Sequence, residues 1–480
     1  MDQGSIQIRE PLQGLIRVFE GLFLTFLVSQ FLTAGLATDD FYTVRFWFCV
    51  LLVVLAIIYF KTKLWLIPSR SPTFFVFLCF LSFEFLRLAW AGYALHFTDV
   101  SAANLPYFKL YQSAPQLWFF YFAVFTLSLT FFSTRKRIYH LLIVMAVTAF
   151  LIAVSLIPPL LMKGEGRLGY EFGNGQESLF PPFFYFHEWI GRYVITRYAH
   201  VNWIGDIMAF GLFAALGMAF YAYETMRRNA RKRKETLHEE NKSKEMTPAL
   251  LEWLAFFVIA AASVLLLARG TIISLTGGLL ICFLGVPLKY RSLSRLWFVG
   301  IILIFIGIFL FWAGNLPRAL KETETVIAEL EPETPGTLDV TRDGIGRSIA
   351  IYSDFPLWGV GTHGYELIAR YYERPQPDNT FSFANFQANN HYFQTLAEEG
   401  VGAFIYLVFL GVYLYEAITG LLRTQSRFKF LTALTLFSVT VMILIHASVH
   451  HLMSRFPVAV LMYVVMGAVL AIFRPDFENE

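Results

Sequence analysis

Long uninterrupted runs of apolar residues constrain this chain more than any motif in it. Residues 138–162, 249–268 and 428–449 are apolar nearly throughout, and about 18 such residues is the length a helix needs to cross ~30 Å of hydrocarbon. A membrane barrel would instead alternate apolar and polar residues in stretches of about 10. Charged residues make up 15% of the chain and apolar residues 56%. Soluble domains carry roughly 25% charge, so an ordinary soluble globule is excluded, as is a disordered chain. The 480 residues therefore read as an all-α, polytopic integral membrane protein.

Twelve spans are expected, at about 14–36, 41–60, 72–95, 115–133, 138–162, 202–225, 249–268, 271–288, 296–314, 396–421, 428–449 and 456–473. Thr33-Ala34-Gly35-Leu36-Ala37 has the look of a signal-cleavage site, but the stretch before it carries Arg17 and Glu20. A signal peptide's apolar region lacks such charges, so the first span is expected to be retained. Lys and Arg in short loops stay in the cytoplasm. Here they cluster after spans two (Lys61, Lys63, Arg70), four (Arg135, Lys136, Arg137), six (Arg227 to Lys234), eight (Lys289, Arg291, Arg295) and ten (Arg423, Arg427, Lys429). All five clusters fall on one side, which predicts cytoplasmic termini.

The same alternation places residues 163–201 and 315–395 outside. A loop as long as the second is often functional. The expected organisation is a bundle over residues 1–314 with a basic cytoplasmic loop at 226–248, a large periplasmic loop at 315–395, and a last set of spans with a tail over 396–480. Within the loop, a short amphipathic helix is predicted near 344–354, followed by the turn-rich Pro356-Leu357-Trp358-Gly359-Val360-Gly361. The net charge of +3 is too small to point to nucleic acid. Cys49, Cys79 and Cys282 lie in apolar blocks without metal-like spacing, so they read as core residues.

Arg269, between spans seven and eight, is either a snorkelling turn residue or an anion clamp, since guanidinium grips phosphate bidentately. Arg342 and Arg347 lie on the same outer side in Thr341-Arg342-Asp343-Gly344-Ile345-Gly346-Arg347. His391 follows Asn389 and Asn390 at a helix start, where it is a cap or interface residue or else a proton acceptor. Glu84 and Arg87, three apart within span three, read as an internal ion pair or as the lining of a lipid-phosphate path. Arg45 is an interface anchor or a further phosphate contact, and Asp206 is a buried polar residue by default. His446, His450 and His451 include an i, i+4 pair, but a complete metal set is not evident, and interfacial packing or help near a substrate is the simpler reading.

Taken together, four parts of residues 163–420 resemble the O-antigen ligase and O-antigen polymerase superfamily. They are Gly166-Arg167-Leu168 through His200-Val201-Asn202, the Arg269-Gly270 pair opening a helix, Arg342 to Gly364 with its Pro-Leu-x-Gly-x-Gly run, and the stretch Asn389-Asn390-His391-Tyr392-Phe393-Gln394 to Gly400. The resemblance implies a GT-C-like glycosyltransferase with no cofactor and no required metal. Its donor would be a glycan on undecaprenyl pyrophosphate, and its acceptor a glycan or lipid A core sugar outside a bacterial inner membrane. Arg269 and Arg342 would hold the pyrophosphate, with Arg347 competing for the second place, and His391 would be the base. Asn389, Asn390, Arg45, Arg87 and Asp206 would line the substrate. The family pattern places its histidine at position 389, where this chain has asparagine.

A secondary transporter shares the twelve-span layout with a basic central loop. Against it, no half-to-half similarity is visible, and the ionisable candidates lie at one surface. An inactive relative that only binds lipid-linked glycan is the third reading.

Overall fold

The computed structural model describes residues 18, 20–28, 30, 71–97, 105–162, 201–235, 246–265, 269–289, 302, 337–362, 364–372, 388–450, 456–475 and 477. Among them the chain is helical, without a strand. The long helices are α1 (Pro72–Phe97), α2 (Leu105–Phe131), α3 (Arg135–Met162), α4 (Val201–Glu235), α5 (Met246–Leu265) and α6 (Arg269–Lys289). Then come α7 (Thr337–Asp354), the single turn α8 (Tyr365–Ile368), α9 (His391–Glu399), α10 (Gly402–Arg423), α11 (Arg427–Ala447) and α12 (Phe456–Ile472). Five stretches are long and apolar enough to cross a membrane, within α1, α3, α4, α10 and α11, and four shorter apolar helices accompany them. This is a multi-pass membrane architecture. Expected spans one, two and nine lie mostly outside the described residues, and Arg45 lies outside them entirely.

Burial separates the helices into a centre and a wall. The spanning window of α4 is 94% buried and that of α11 is 83% buried, against 28% for α1 and 33% for α10. An apolar helix surrounded by protein is largely hydrophobic all round, and so are the spanning windows of α4 and α11. On the wall, Phe75, Leu86, Trp90, Leu151, Leu251, Phe257, Val408 and Leu422 are exposed, as lipid-facing side chains must be. Lipid is as apolar as leucine, so close packing drives helix association here. Accordingly α4 meets its neighbours through small residues: Gly211 lies on Ala149 of α3, and Gly217 on Thr435 of α11.

Two boundaries differ from the sequence reading. The expected tenth span at 396–421 is two elements, because α9 ends at Glu399 and the chain turns at Gly400, φ 57°, before α10 begins. The expected boundary at residue 395 therefore falls inside α9. The sixth span also runs on, with α4 extending to Glu235 through the basic cluster. Nothing in helix propensity stops it, since Arg and Lys are good helix formers.

The helices α7, α8 and α9 form a small layer over one end of the bundle, with their own core of Ile351, Val360, Tyr365, Ala369, Ala388 and Ala397. The opposite end is basic. There Arg135 lies 4.7 Å from the rings of both Tyr221 and Phe428, Lys289 donates to Leu421 O at 2.8 Å, and Arg474 donates to Leu129 O at 3.0 Å.

Candidate functional site

A buried arginine is one of the attachments of the capping layer to the bundle. Arg87 of α1 donates to Glu398 O at 2.9 Å and to Trp358 O at 3.2 Å. It also donates to Glu84 Oε2 at 2.5 Å and pairs with Glu399. Thr362 Oγ1 completes the network by donating to Glu399 Oε1 at 2.5 Å. Glu84 and Arg87 do form the internal ion pair, both fully buried. The guanidinium is thus engaged by the protein itself, and among the described contacts it joins α1 to α9 and to the Pro356–Gly361 turn.

That turn and the end of α9 meet backbone to backbone. Val360 and Gly361 donate to Ala397 O and Glu398 O at 3.0 and 2.9 Å. Gly359 (φ 63°) and Gly400 (φ 57°) make this approach possible, because a Cβ on Gly359 would stand 2.2 Å from Glu398 O. Positive φ also favours glycine at both positions. Trp358 stacks on Phe83, ring centroids 5.4 Å apart, adding an aromatic contact to the same face of α1.

The other end of α9 carries the Asn389-Asn390-His391 block. Asn389 adopts φ 48°, a left-handed conformation that asparagine tolerates better than most residues. Asn390 caps α9, its side chain accepting from the Tyr392 and Phe393 amides. The same side chain donates to Ser448 O at 2.7 Å, and the Tyr392 hydroxyl donates to Leu444 O at 2.7 Å. These two bonds seat the block on the end of α11. The ring of His391 is buried against Tyr406 of α10, centroids 6.0 Å apart. Burial pushes its pKa down to about 3, so it is a neutral imidazole at any physiological pH.

Arg347 lies on α7, half-buried beside Tyr365. Tyr365 in turn donates to Gly344 O at 3.1 Å, and burial is the main cause of its raised hydroxyl pKa. Gly344 lies directly on the Ala388 backbone, which brings α7 to the Asn389 block. Arg342 stands five residues before Arg347 on the same helix, and Arg269 is the first residue of α6. Two residues on, the side chain of Thr271 packs against Gly205 of α4.

Next to Gly205 lies a pair that the sequence did not connect. Oδ1 of Asp206 is 2.7 Å from Nδ1 of His446, with both side chains fully buried. The two residues lie in different spans, 240 positions apart, so no local spacing links them. The available signal was that isolated ionisable groups in apolar helices require partners. Among the described residues, no three His, Cys, Asp or Glu side chains are gathered in a way that could hold a metal ion.

The helices bearing Arg269, Arg342, Arg347 and His391 are therefore connected around one end of the bundle, through α4 and α11. Residues 254–408 match the family model described as O-antigen ligase. No curated protein matches the chain.

Proposed function

We propose, from the match of residues 254–408 to the O-antigen ligase family model, that this chain transfers a glycan from undecaprenyl pyrophosphate to an acceptor sugar. The site is the capped end of the bundle, at the periplasmic face of a bacterial inner membrane, and the enzyme is GT-C-like and metal-independent. The lipid A core is the acceptor if the protein is a ligase, and another glycan end if it is a polymerase. The observation that carries this reading is the match itself, whose segment contains Arg269, Arg342, Arg347 and His391, all on helices that converge at one end. The sidedness is supported by the basic residues at the opposite end, among them Arg135, Lys289 and Arg474, because positive charge is retained in the cytoplasm. Both termini are then cytoplasmic.

The chemistry follows from the donor. As the sugar leaves, negative charge grows on the pyrophosphate, and fixed guanidinium groups stabilise it by about 3 kcal/mol per donor. Arg269 and Arg342 take this role, with Arg347, five residues on in α7, competing for the second place. Attack from the face opposite the leaving group inverts the anomeric centre. The acceptor hydroxyl must lose a proton, and a neutral imidazole accepts its hydrogen bond. His391 orients the hydroxyl in this way, while its depressed pKa makes it a weak store for the proton itself. Asn389 and Asn390 line the acceptor side, Arg45 adds a phosphate contact, and Arg87 holds the layer in place.

The test is reconstitution of the purified protein with an undecaprenyl-pyrophosphate glycan and candidate acceptors. Wild type is expected to transfer, and Arg269→Ala and Arg342→Ala to lose at least about 10²-fold in kcat. Undiminished transfer by both variants overturns the clamp. Movement of the lipid-linked glycan without transfer identifies a transporter instead.

A further inference from the structure

The Asp206–His446 pair lies outside the matched segment, and the chemistry above leaves it without a role. Both side chains are fully buried. Their facing atoms, Oδ1 and Nδ1, are 2.7 Å apart. The remaining atoms, Asp206 Oδ2 and His446 Nε2, have no hydrogen-bond partner among the described residues. Leaving such groups unpaired away from water costs free energy comparable to a lost hydrogen bond or more.

The position is equally specific. His446 lies in the last turn of α11, next to the turn where Asn390 docks through Ser448 O. His450, half-buried in that turn, has its ring 5.9 Å from the ring of His446. On the other side, Asp206 adjoins Gly205, against which Thr271 of α6 packs just after Arg269. A carboxylate, a buried imidazole and a half-buried imidazole therefore follow one another from the bundle interior into the turn on which Asn390 docks.

We propose that Asp206, His446 and His450 form the proton relay of the transfer reaction. This rests on the glycosyltransferase reading above. When Asp206 accepts from Nδ1–H, the bare lone pair of His446 lies on Nε2, the tautomer a proton acceptor needs. In the reaction, the acceptor oxygen bonds to the anomeric carbon while the carbon–oxygen bond to the diphosphate breaks, its electron pair staying on phosphate. The hydroxyl proton passes to His450 and on to His446, where the Asp206 carboxylate offsets the imidazolium charge. After the glycan leaves, the proton returns by the same line to external water. His446 acts through His450 and is a positioning and relay group, since it does not touch the sugar.

The experiment uses the reconstituted full chain with an undecaprenyl-pyrophosphate glycan. His446→Asn keeps a side-chain donor near the Nδ1 position for Asp206 but removes the lone pair. The relay predicts a kcat lower by about 10²-fold or more with donor KM unchanged, and partial recovery of His446→Ala by added imidazole. Asp206→Asn, which reverses the favoured tautomer, should show the same split between kcat and KM. A folded His446→Asn variant with wild-type kcat overturns the relay. So does unfolding of both His446→Asn and Asp206→Asn, which makes the pair a structural link. A wild type that transfers nothing overturns the underlying function, and the relay with it.

Discussion

Removing Arg87 should release the capping layer locally before it unfolds the bundle. In Arg87→Leu the buried carboxylates of Glu84 and Glu399 lose their cation, and the carbonyls of Trp358 and Glu398 each lose one donor. Breaking a buried pair by removing one partner costs about 3–5 kcal/mol. The part of the chain that can relax is the Pro356–Gly361 turn and the end of α9, because α1 is held in the bundle by its aromatic contacts, such as Phe77 on Phe409 at 4.5 Å. Amide hydrogen exchange reads this directly. The Val360 and Gly361 amides, bonded to Ala397 O and Glu398 O, should exchange roughly 10²- to 5 × 10³-fold faster in the variant, at 1.4 kcal/mol per decade. Amides of α12 should be unchanged. Arg87→Lys should fall between, since an ammonium keeps the charge without the planar fork. If the Val360 and Gly361 amides exchange at the wild-type rate in Arg87→Leu, the reasoning is refuted.

Two further perturbations act on the same layer. Gly359→Ala should lower the unfolding temperature and abolish transfer, since a left-handed backbone costs a non-glycine residue about 1–2 kcal/mol and the new Cβ meets Glu398 O; wild-type stability in a thermal melt would contradict this. For His391, the folded state resists protonation down to about pH 3, whereas the unfolded chain takes the proton near 6.5. Protonation therefore favours unfolding. The stabilising contribution is full above pH 6.5 and falls as pH is lowered, by about 2 kcal/mol at pH 5. His391→Gln should flatten that part of the stability profile, and an unchanged slope between pH 5 and 7 would argue against burial of a neutral ring.

The bundle was legible because apolar length and basic residues report on single helices. Apart from the tenth, each expected span in the described region coincides with a helix, and the helix near 344–354 is present as the longer α7. The error at the tenth span has a local cause. The run Thr395-Leu396-Ala397 through Val401-Gly402-Ala403 is apolar enough to read as continuous, and only the positive φ at Gly400 divides it. The Glu84–Arg87 pair was readable because both residues lie on one helix. Its extension to Glu399 and Thr362, like the pairing of Asp206 with His446, depends on which helices become neighbours, and that is not written in the spacing along any one of them. Arg269 and Arg342 stood out by resemblance to a family pattern, because nothing in the local periodicity marks them.

The central claim is that positions 269 and 342 share one aqueous mouth and one diphosphate. Single-cysteine variants at these positions, in a background lacking Cys49, Cys79 and Cys282, can be probed in oriented membranes with an impermeant thiol reagent. Both should react from the periplasmic side, and an undecaprenyl-pyrophosphate glycan should slow both reactions. Labelling of the two positions from opposite sides, or protection of neither, would contradict the account.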